Sequence, residues 1–345
     1  MGWYNETGPQ GQYVVNSCVK FFRNVEGYPF PTTMDGQTGE EVYERFLPCV
    51  TDVLGEGHFE QVDPNTSPYW QIAYLSDRYQ FLYQRGAAPF RRSIFCDFDD
   101  RHLISINEYD HLSAEYILAG FQLKKAFEKA KREVELIGER IPFVHHKELG
   151  YLTANPKCVG SGMRAGVLMH LPSLTAFGDI PQITEFLKQR GISLQPFFSE
   201  NKRSYGGLYQ LSNINSLGIS SEHIVQSVEG AAMYLIQREE EKQVQRFSRR
   251  PESLVDSIWR SFAVLSAARQ LSLRELFVHI SNIRLGAILK VLPIPLETVN
   301  ELILRGQAGN VARYAYLFEC VNENPDVLRA RIIREELAPL LKQFL

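Results

Sequence analysis

The sequence predicts an α+β part with antiparallel strands, followed by an all-helical part, on three observations. Short apolar runs at 103–106, 150–153, 167–171 and 208–211 have extended patterns, and the second and last run into loops rich in Gly, Asn and Ser. From about Ser220 the texture turns helical and stays so. Between the two textures, Ser248-Arg249-Arg250-Pro251 reads as a break, because proline cannot continue a helix. The expected parts are therefore 1–248 and 252–345.

The elements follow in order. Residues 1–100 mix aromatics, prolines and glycines with short helical patterns such as 40–46. The run 103–106 reads as a strand ending in the polar turn Asn107-Glu108-Tyr109-Asp110-His111. Residues 113–140 read as one long amphipathic helix, with Ile117, Phe121, Leu123, Phe127 and Val134 near helical spacing. Residues 167–171 form another strand. Residues 180–190 form a helix closed by Gly191, a residue suited to the left-handed cap position. Helices are then expected at 220–247, 254–271, 273–289, 296–305, 311–321 and 326–344.

Composition narrows the function classes. With 345 residues and 44% hydrophobic content, the chain can bury a core large enough for two domains. A net charge of −3 and a pI near 6.3 give no reason to expect a nucleic-acid surface. No apolar run reaches the ~18 residues of a membrane span. The first fifteen residues lack the basic-then-apolar order of a signal peptide, so a cytoplasmic location is expected. The five cysteines, Cys18, Cys49, Cys96, Cys158 and Cys320, have no CxxC spacing. They predict reduced thiols, with neither a zinc site nor a disulfide framework. No Walker-type phosphate loop is present. The GxGxxA-like stretch from Gly160 to Ala165 lacks the strand–helix–strand setting of a dinucleotide site.

Five segments, in order along the chain, carry a family resemblance. They are VVNSCVKFFRNVEGYPFP (14–31), INEYDHL (106–112), LGYLTANPKCVGSGMRAGVLMHLP (149–172), YGGLYQLSNINSLG (205–218) and DVLRARIIRE (326–335). They resemble, respectively, the SSRIRLARN segment, the INEEDH loop, the cysteine loop with its GTGLRA motif, the segment after the second catalytic loop and the C-terminal phosphoarginine-pocket helix. All belong to the ATP:guanidino phosphotransferases, most closely the bacterial protein-arginine kinases. The resemblance implies a guanidino-kinase-like catalytic domain (a small helical N-lobe and an antiparallel sheet flanked by helices) followed by an all-α bundle. It also implies ATP with Mg²⁺ as co-substrate if the nucleotide site survives, and otherwise no cofactor.

That reaction is demanding because its nucleophile is a cation that must lose a proton as it attacks. Carboxylates are needed to hold and deprotonate it, and a cluster of cations must grip the nucleotide phosphates. Carried over position by position, the phosphate-clamping arginines survive only as Arg164. The others fall on Cys18, Lys20, Ser113 and Gln195. The guanidinium-binding glutamate falls on Tyr109, beside a retained Glu108, and the second-loop glutamate on Glu200. The reactive cysteine falls on Asn155, and Cys158 sits three residues away from that position. Lys202 and Arg203 lie near Glu200 and could partly stand in for the lost cations, as could Lys157. Losing one transition-state donor costs about 10²–10³ in rate. Three arginines are absent and a fourth is a lysine, which lacks the bidentate fork, so phosphoryl transfer is expected to be weak or absent.

In the C-terminal part, Asp326 could hold a phosphoarginine guanidinium and Arg329 its phosphate. Alternatively, Asn324-Pro325 is an ordinary helix start. Asn107, Asp110 and His111 are expected to be loop scaffold, and His170 a satisfied core histidine. The implied function is a regulatory or adaptor pseudokinase, working on protein substrates or phosphoarginine-bearing proteins with a Clp-type protease component. A homodimer is the implied assembly. The rivals are an active arginine kinase using Glu108 and Glu200 as carboxylates, with Lys20 and Arg164 on the phosphates, and a module that keeps only the C-terminal pocket and reads phosphoarginine.

Overall fold

The computed structural model describes residues 2–55, 57–79, 88–200, 203–249 and 251–344. Its first strand, β1 (Val14–Arg23), is mostly β-branched, aromatic and small residues, with Asn16, Lys20 and Arg23 among them, and is buried at every position. Next come α1 (Gly36–Leu54), β2 (Phe59–Val62), α2 (Tyr69–Arg78), β3 (Ser93–Asp97), β4 (His102–Ile106), β5 (Leu112–Ala119) and α3 (Leu123–Gly138). The short pair β6 (His145–His146) and β7 (Gly150–Tyr151) precedes β8 (Met163–His170), α4 (Pro172–Phe177) and α5 (Ile180–Lys188). Then β9 (Ile192–Pro196) leads through the hairpin β10 (Ser199–Glu200) and β11 (Arg203–Ser204) to β12 (Leu208–Asn213).

Eight of these strands form one antiparallel sheet in the order β2-β3-β4-β5-β1-β8-β12-β9, which leaves β1 near its middle. The rest is helical: α6 (Ser221–Arg249), α7 (Pro251–Ala267), α8 (Leu273–Ile288), α9 (Leu296–Arg305), α10 (Ala308–Leu317) and α11 (Pro325–Phe344). None of the described helices is long and apolar enough to cross a membrane.

Each face of the sheet is covered, and each cover is a core. One face packs on α1, α3 and α6, with Val19, Phe21, Ala114 and Leu118 meeting Phe46, Phe127, Val134 and Val228. The other face packs on the C-terminal helices, with Cys18, Ile117, Leu168 and Leu208 meeting Ile258, Phe262, Phe277 and Ile280. Because successive residues of a strand point to opposite faces, Val19 and Phe21 serve the first core and Cys18 the second.

One expected element is corrected. Residues 113–140 are not a single helix: β5 occupies 112–119, Gly120 turns the chain at φ +64°, and α3 starts at Leu123. Ile117 enters one core and Leu118 the other, so both sides of β5 are apolar. A strand buried on both faces loses its polar–apolar alternation and can pass for a buried helix. The helix at 180–190 closes as expected, with Gly191 at φ +74°.

Candidate active site

Two of the expected phosphate-clamp positions, Lys20 and Arg164, lie in one row with Glu115 across three adjacent strands. Lys20 on β1 is opposite Glu115 on β5 in one direction and opposite Arg164 on β8 in the other. Directly opposed residues of antiparallel strands share a face, so the three side chains stand side by side. Lys20 Nζ lies 3.6 Å from Glu115 Oε2, and both groups are buried. Arg164 Nη2 donates to Ser212 Oγ on β12 at 3.2 Å. Cys18 sits on the same face, and burial pushes its thiol well above the usual range. The row thus carries two cations, one of them already neutralised by an internal carboxylate.

Two further arginines lie nearby but are turned to other tasks. Arg23, at the end of β1, stacks 3.7 Å from the Tyr151 ring centroid. It donates to the carbonyls of Phe22 (2.7 Å), Ser161 (3.3 Å) and Gly162 (3.1 Å), pinning the glycine-rich segment before β8. Gly162 at φ +60° lies close enough to Arg23 that a Cβ there would be 2.3 Å from its Nη1. Arg92, fully buried, lies 3.4 Å from the Glu108 carboxylate.

The turn between β4 and β5 is a scaffold. Asn107, at φ +60°, donates from Nδ2 to the carbonyls of Gly39 (2.9 Å) and Arg91 (3.1 Å). Asp110 Oδ1 accepts from Asn24 Nδ2 at 2.6 Å and from the Ala154 amide at 2.7 Å, and burial raises its pKa. His111 Nδ1 accepts from the Val25 amide at 2.9 Å while Nε2 lies 3.0 Å from the Pro29 carbonyl. Burial pushes its pKa down to about 4, so it is a neutral strut. Within this turn Glu108 faces inward to Arg92 and Tyr109 faces outward.

Asn155 opens the one-turn helix 156–158, its Oδ1 accepting from the Lys157 amide at 3.1 Å. With Phe22, Tyr109, Asp110, Ala154 and Pro156 it lines a cavity of about 340 Å³. The structure therefore brings Asn155 and Tyr109 together and puts Lys20 beside Arg164. It does not place Glu108 among the described lining residues of that cavity. Cys158 is buried, and desolvation lifts its thiol to about 11 against the opposing pull of Arg164. It is inert by that measure.

In the second loop, Glu200 pairs in register with Arg203 across the β10–β11 hairpin, and Lys202 lies outside the described residues. Gln195 is on β9, paired with Gln210. The hairpin is anchored from outside the sheet: Phe198 stacks on Phe277 of α8 with centroids 3.7 Å apart. At the other predicted pocket, Arg329 is buried. Its Nε donates to the Gly306 carbonyl at 2.8 Å, and its Nη1 donates to the Leu271 carbonyl at 2.9 Å and to the Asp326 carboxylate. Asp326 and Arg329 do meet, but this guanidinium ties the ends of three helices together. Asn324 caps the start of α11 through the Asp326 amide at 2.9 Å.

The sequence reading missed Glu115 and Arg92. Glu115 was hidden because its strand was read as helix. The available signal was an acid flanked by small and apolar residues in a run with no other charge. His170 is the expected core histidine, its Nε2 2.8 Å from Ser281 Oγ.

Known proteins share the family and the fold of this chain. A family model described as ATP:guanido phosphotransferase, C-terminal catalytic domain, matches residues 57–242. A second, protein-arginine kinase McsB C-terminal domain, matches 251–343. A protein-arginine kinase of Clostridium novyi is 30% identical over 342 residues, covering 97% of this chain and 98% of the relative. One of Bacillus subtilis is 28% identical over 338 residues, covering 97% and 93%. Among solved structures, the duplicated taurocyamine kinase of Schistosoma mansoni superposes with a TM-score of 0.60 at 22% identity. The match spans 73% of this chain and 37% of that one. Lombricine kinase gives 0.57 at 22% identity, with 66% of each chain covered. These last two establish the shared fold.

Proposed function

The chain belongs to the ATP:guanido phosphotransferase family, with protein-arginine kinases as its relatives, and from that premise we propose that it is a member in which phosphoryl transfer from ATP to arginine is impaired. On this reading it is a cytoplasmic, dimeric regulatory or adaptor protein that engages protein substrates, in concert with a Clp-type protease component. Its two functional parts are 1–248 and 252–345. The observation that carries the reading is the row Glu115–Lys20–Arg164, in which a buried carboxylate occupies the side of Lys20 away from Arg164. An anionic phosphate chain placed on this row would meet the Glu115 charge at short range. Like-charge contact of this kind is far costlier in a buried site than in water.

The rival, an active kinase with a rebuilt clamp, would need Glu108 and Glu200 as its carboxylates. Glu108 is buried against Arg92, which works against that role. The phosphoarginine-reading alternative would require Arg329 to release internal carbonyls that it now satisfies.

The test is incubation with labelled ATP·Mg²⁺ and an arginine-rich acceptor, where no transfer above background is expected. Transfer that vanishes in both Glu200→Ala and Arg164→Ala would overturn the proposal. Since a ligand that binds only the native state raises its stability, ADP·Mg²⁺ should leave the melting temperature of the wild-type chain unchanged. Glu115→Gln, which removes the opposing charge, should give a nucleotide-dependent rise.

A further inference from the structure

We propose that a cavity at the end of β1 binds a free amino acid with a guanidinium side chain, its α-carboxylate on Arg23 and its cationic end at Glu135 and Glu139 of α3. The cavity is enclosed by β1, α3, the segment 143–151 and the start of α6. Arg23 and Phe21 alternate with Lys20 along β1, so they stand on the face of the sheet away from the Lys20–Arg164 row. The inference goes beyond the reading of that row, because it holds whether or not the chain transfers phosphoryl.

Arg23 marks the cavity as a site. Its side chain is 6% exposed, and among the described residues no carboxylate lies within ion-pair distance of it. Nη1 is spent on the carbonyls of Phe22, Ser161 and Gly162, while Nε is buried with no acceptor. Burial drives the guanidinium pKa down to about 10, against a weaker pull from Tyr151, Asp110 and Glu135. A buried cation without a counter-charge is costly, and a carboxylate brought in by a ligand removes that cost.

The rest of the lining selects which carboxylate. Lys131 is already engaged, 2.7 Å from Glu222 and 3.9 Å from Glu135. With His145 counted as neutral, two cations, Arg23 and Lys131, face three acids, Glu135, Glu139 and Glu222, so a simple anion would meet an excess of negative charge. Glu135 and Glu139 are one helical turn apart on α3 and exposed, which makes them neighbours at the solvent side. A ligand carrying both a carboxylate and a cation satisfies Arg23 and these acids together. A guanidinium suits the second place better than an ammonium. Its planar fork matches carboxylates, and it stacks on rings such as Phe143 and His145 of the lining. A volume of about 670 Å³ lies within the range of small-ligand sites, roughly 300–1,000 Å³.

The experiment titrates the full chain, followed by NMR, with L-arginine, L-argininamide and L-citrulline. The amide lacks the carboxylate and citrulline lacks the cation. L-Arginine should saturate and shift amide signals at 131–139 and 221–222. L-Argininamide should bind at least about tenfold more weakly, because it leaves the buried Arg23 unpaired. Citrulline should lose only about a few-fold, because Glu135 and Glu139 are exposed. Glu139→Gln, at the solvent side, should narrow the gap between arginine and citrulline, and Arg23→Gln should erase the gap between arginine and its amide. Should Arg23→Gln lose its fold, the three ligands and Glu139→Gln still decide. Equal or tighter binding of the amide by the wild-type chain would overturn the assignment, as would failure of L-arginine to saturate at millimolar concentration. So would shifts confined to 107–111 and 154–156, which would put the ligand in the other cavity. Phosphoryl transfer, assayed separately, bears on the Lys20–Arg164 row alone.

Discussion

Glu239 is an acid deep inside the fold, on α6, whose carboxylate accepts the backbone amides of Ser173 at 2.7 Å and Leu174 at 2.9 Å in the first turn of α4. It supplies the anionic cap that α4 lacks locally. Burial nevertheless pushes its pKa from 4.5 up to about 7, against the pull of those two amides. A group raised in the folded state favours folding fully below its unfolded pKa, and that contribution is lost as pH rises through the folded value. Stability should therefore fall between about pH 4.5 and pH 7, by at most about 3 kcal/mol from this group. Asp77, raised by burial to about 6, acts in the same direction. Urea unfolding at pH 5 and pH 8 measures the slope, and Glu239→Gln should flatten it. An unchanged slope in that variant would assign the effect elsewhere. At this scale motif position pointed to Lys20, Arg164 and Asn155, of which the first two stand opposite each other on adjacent strands. It could not reveal the partners that decide what those residues do, such as Glu115 for Lys20, because those pairings are set by strand register across 95 residues of chain.

Among the elements, the helices were the more legible. The expected span 296–305 coincides with α9, and 273–289 runs one residue past α8. Capping signals made this possible, since Ser272 and Glu275 form a complete capping box at the start of α8. β5 was illegible for the opposite reason, having buried apolar residues on both sides and no turn residue between Leu112 and Gly120. The β10–β11 hairpin was equally hidden, because what holds it lies far away in sequence. Phe197 meets Phe198 edge-on at 4.6 Å, and Phe198 stacks on Phe277. Gly206, at φ +68°, lets the strand after the hairpin approach α8 so closely that a Cβ would stand 2.2 Å from the Phe277 carbonyl. Phe277→Ala should therefore cost about 3–5 kcal/mol. It should also speed amide exchange at 197–200 and 203–206 well before exchange in α1, which rests on the other core. Uniform acceleration across the chain would show that Phe277 supports the whole fold without selectively anchoring this hairpin.

For the molecule as a whole, composition and texture predicted two parts, yet the second core does not respect a boundary between them. It joins Cys18, Ile117, Leu168 and Leu208 of the sheet to Ile258, Phe277 and Ile333 of the helices. Arg284 of α8, completely buried, donates to the Gly11 carbonyl at 2.5 Å and to Asn300 Oδ1 at 2.7 Å, tying the chain's first residues to α9. Helix α10 meets α2 so closely that a Cβ on Gly309 would lie 2.3 Å from the Ala73 backbone. Around that contact Asp77 accepts both the amide and the side-chain nitrogen of Asn310, each at 2.8 Å. Separating the two parts would expose an apolar face on each, and exposure on that scale outweighs the few kcal/mol by which a domain is stable. The chain should consequently unfold in one step, with tryptophan fluorescence and far-ultraviolet circular dichroism giving superimposable curves. Gly309→Leu, which must push α2 and α10 apart, should lower that single midpoint without splitting it. Two resolved transitions in the wild-type chain, or a variant that melts only its helical signal early, would mean that the sheet and the helical part are separate energetic units.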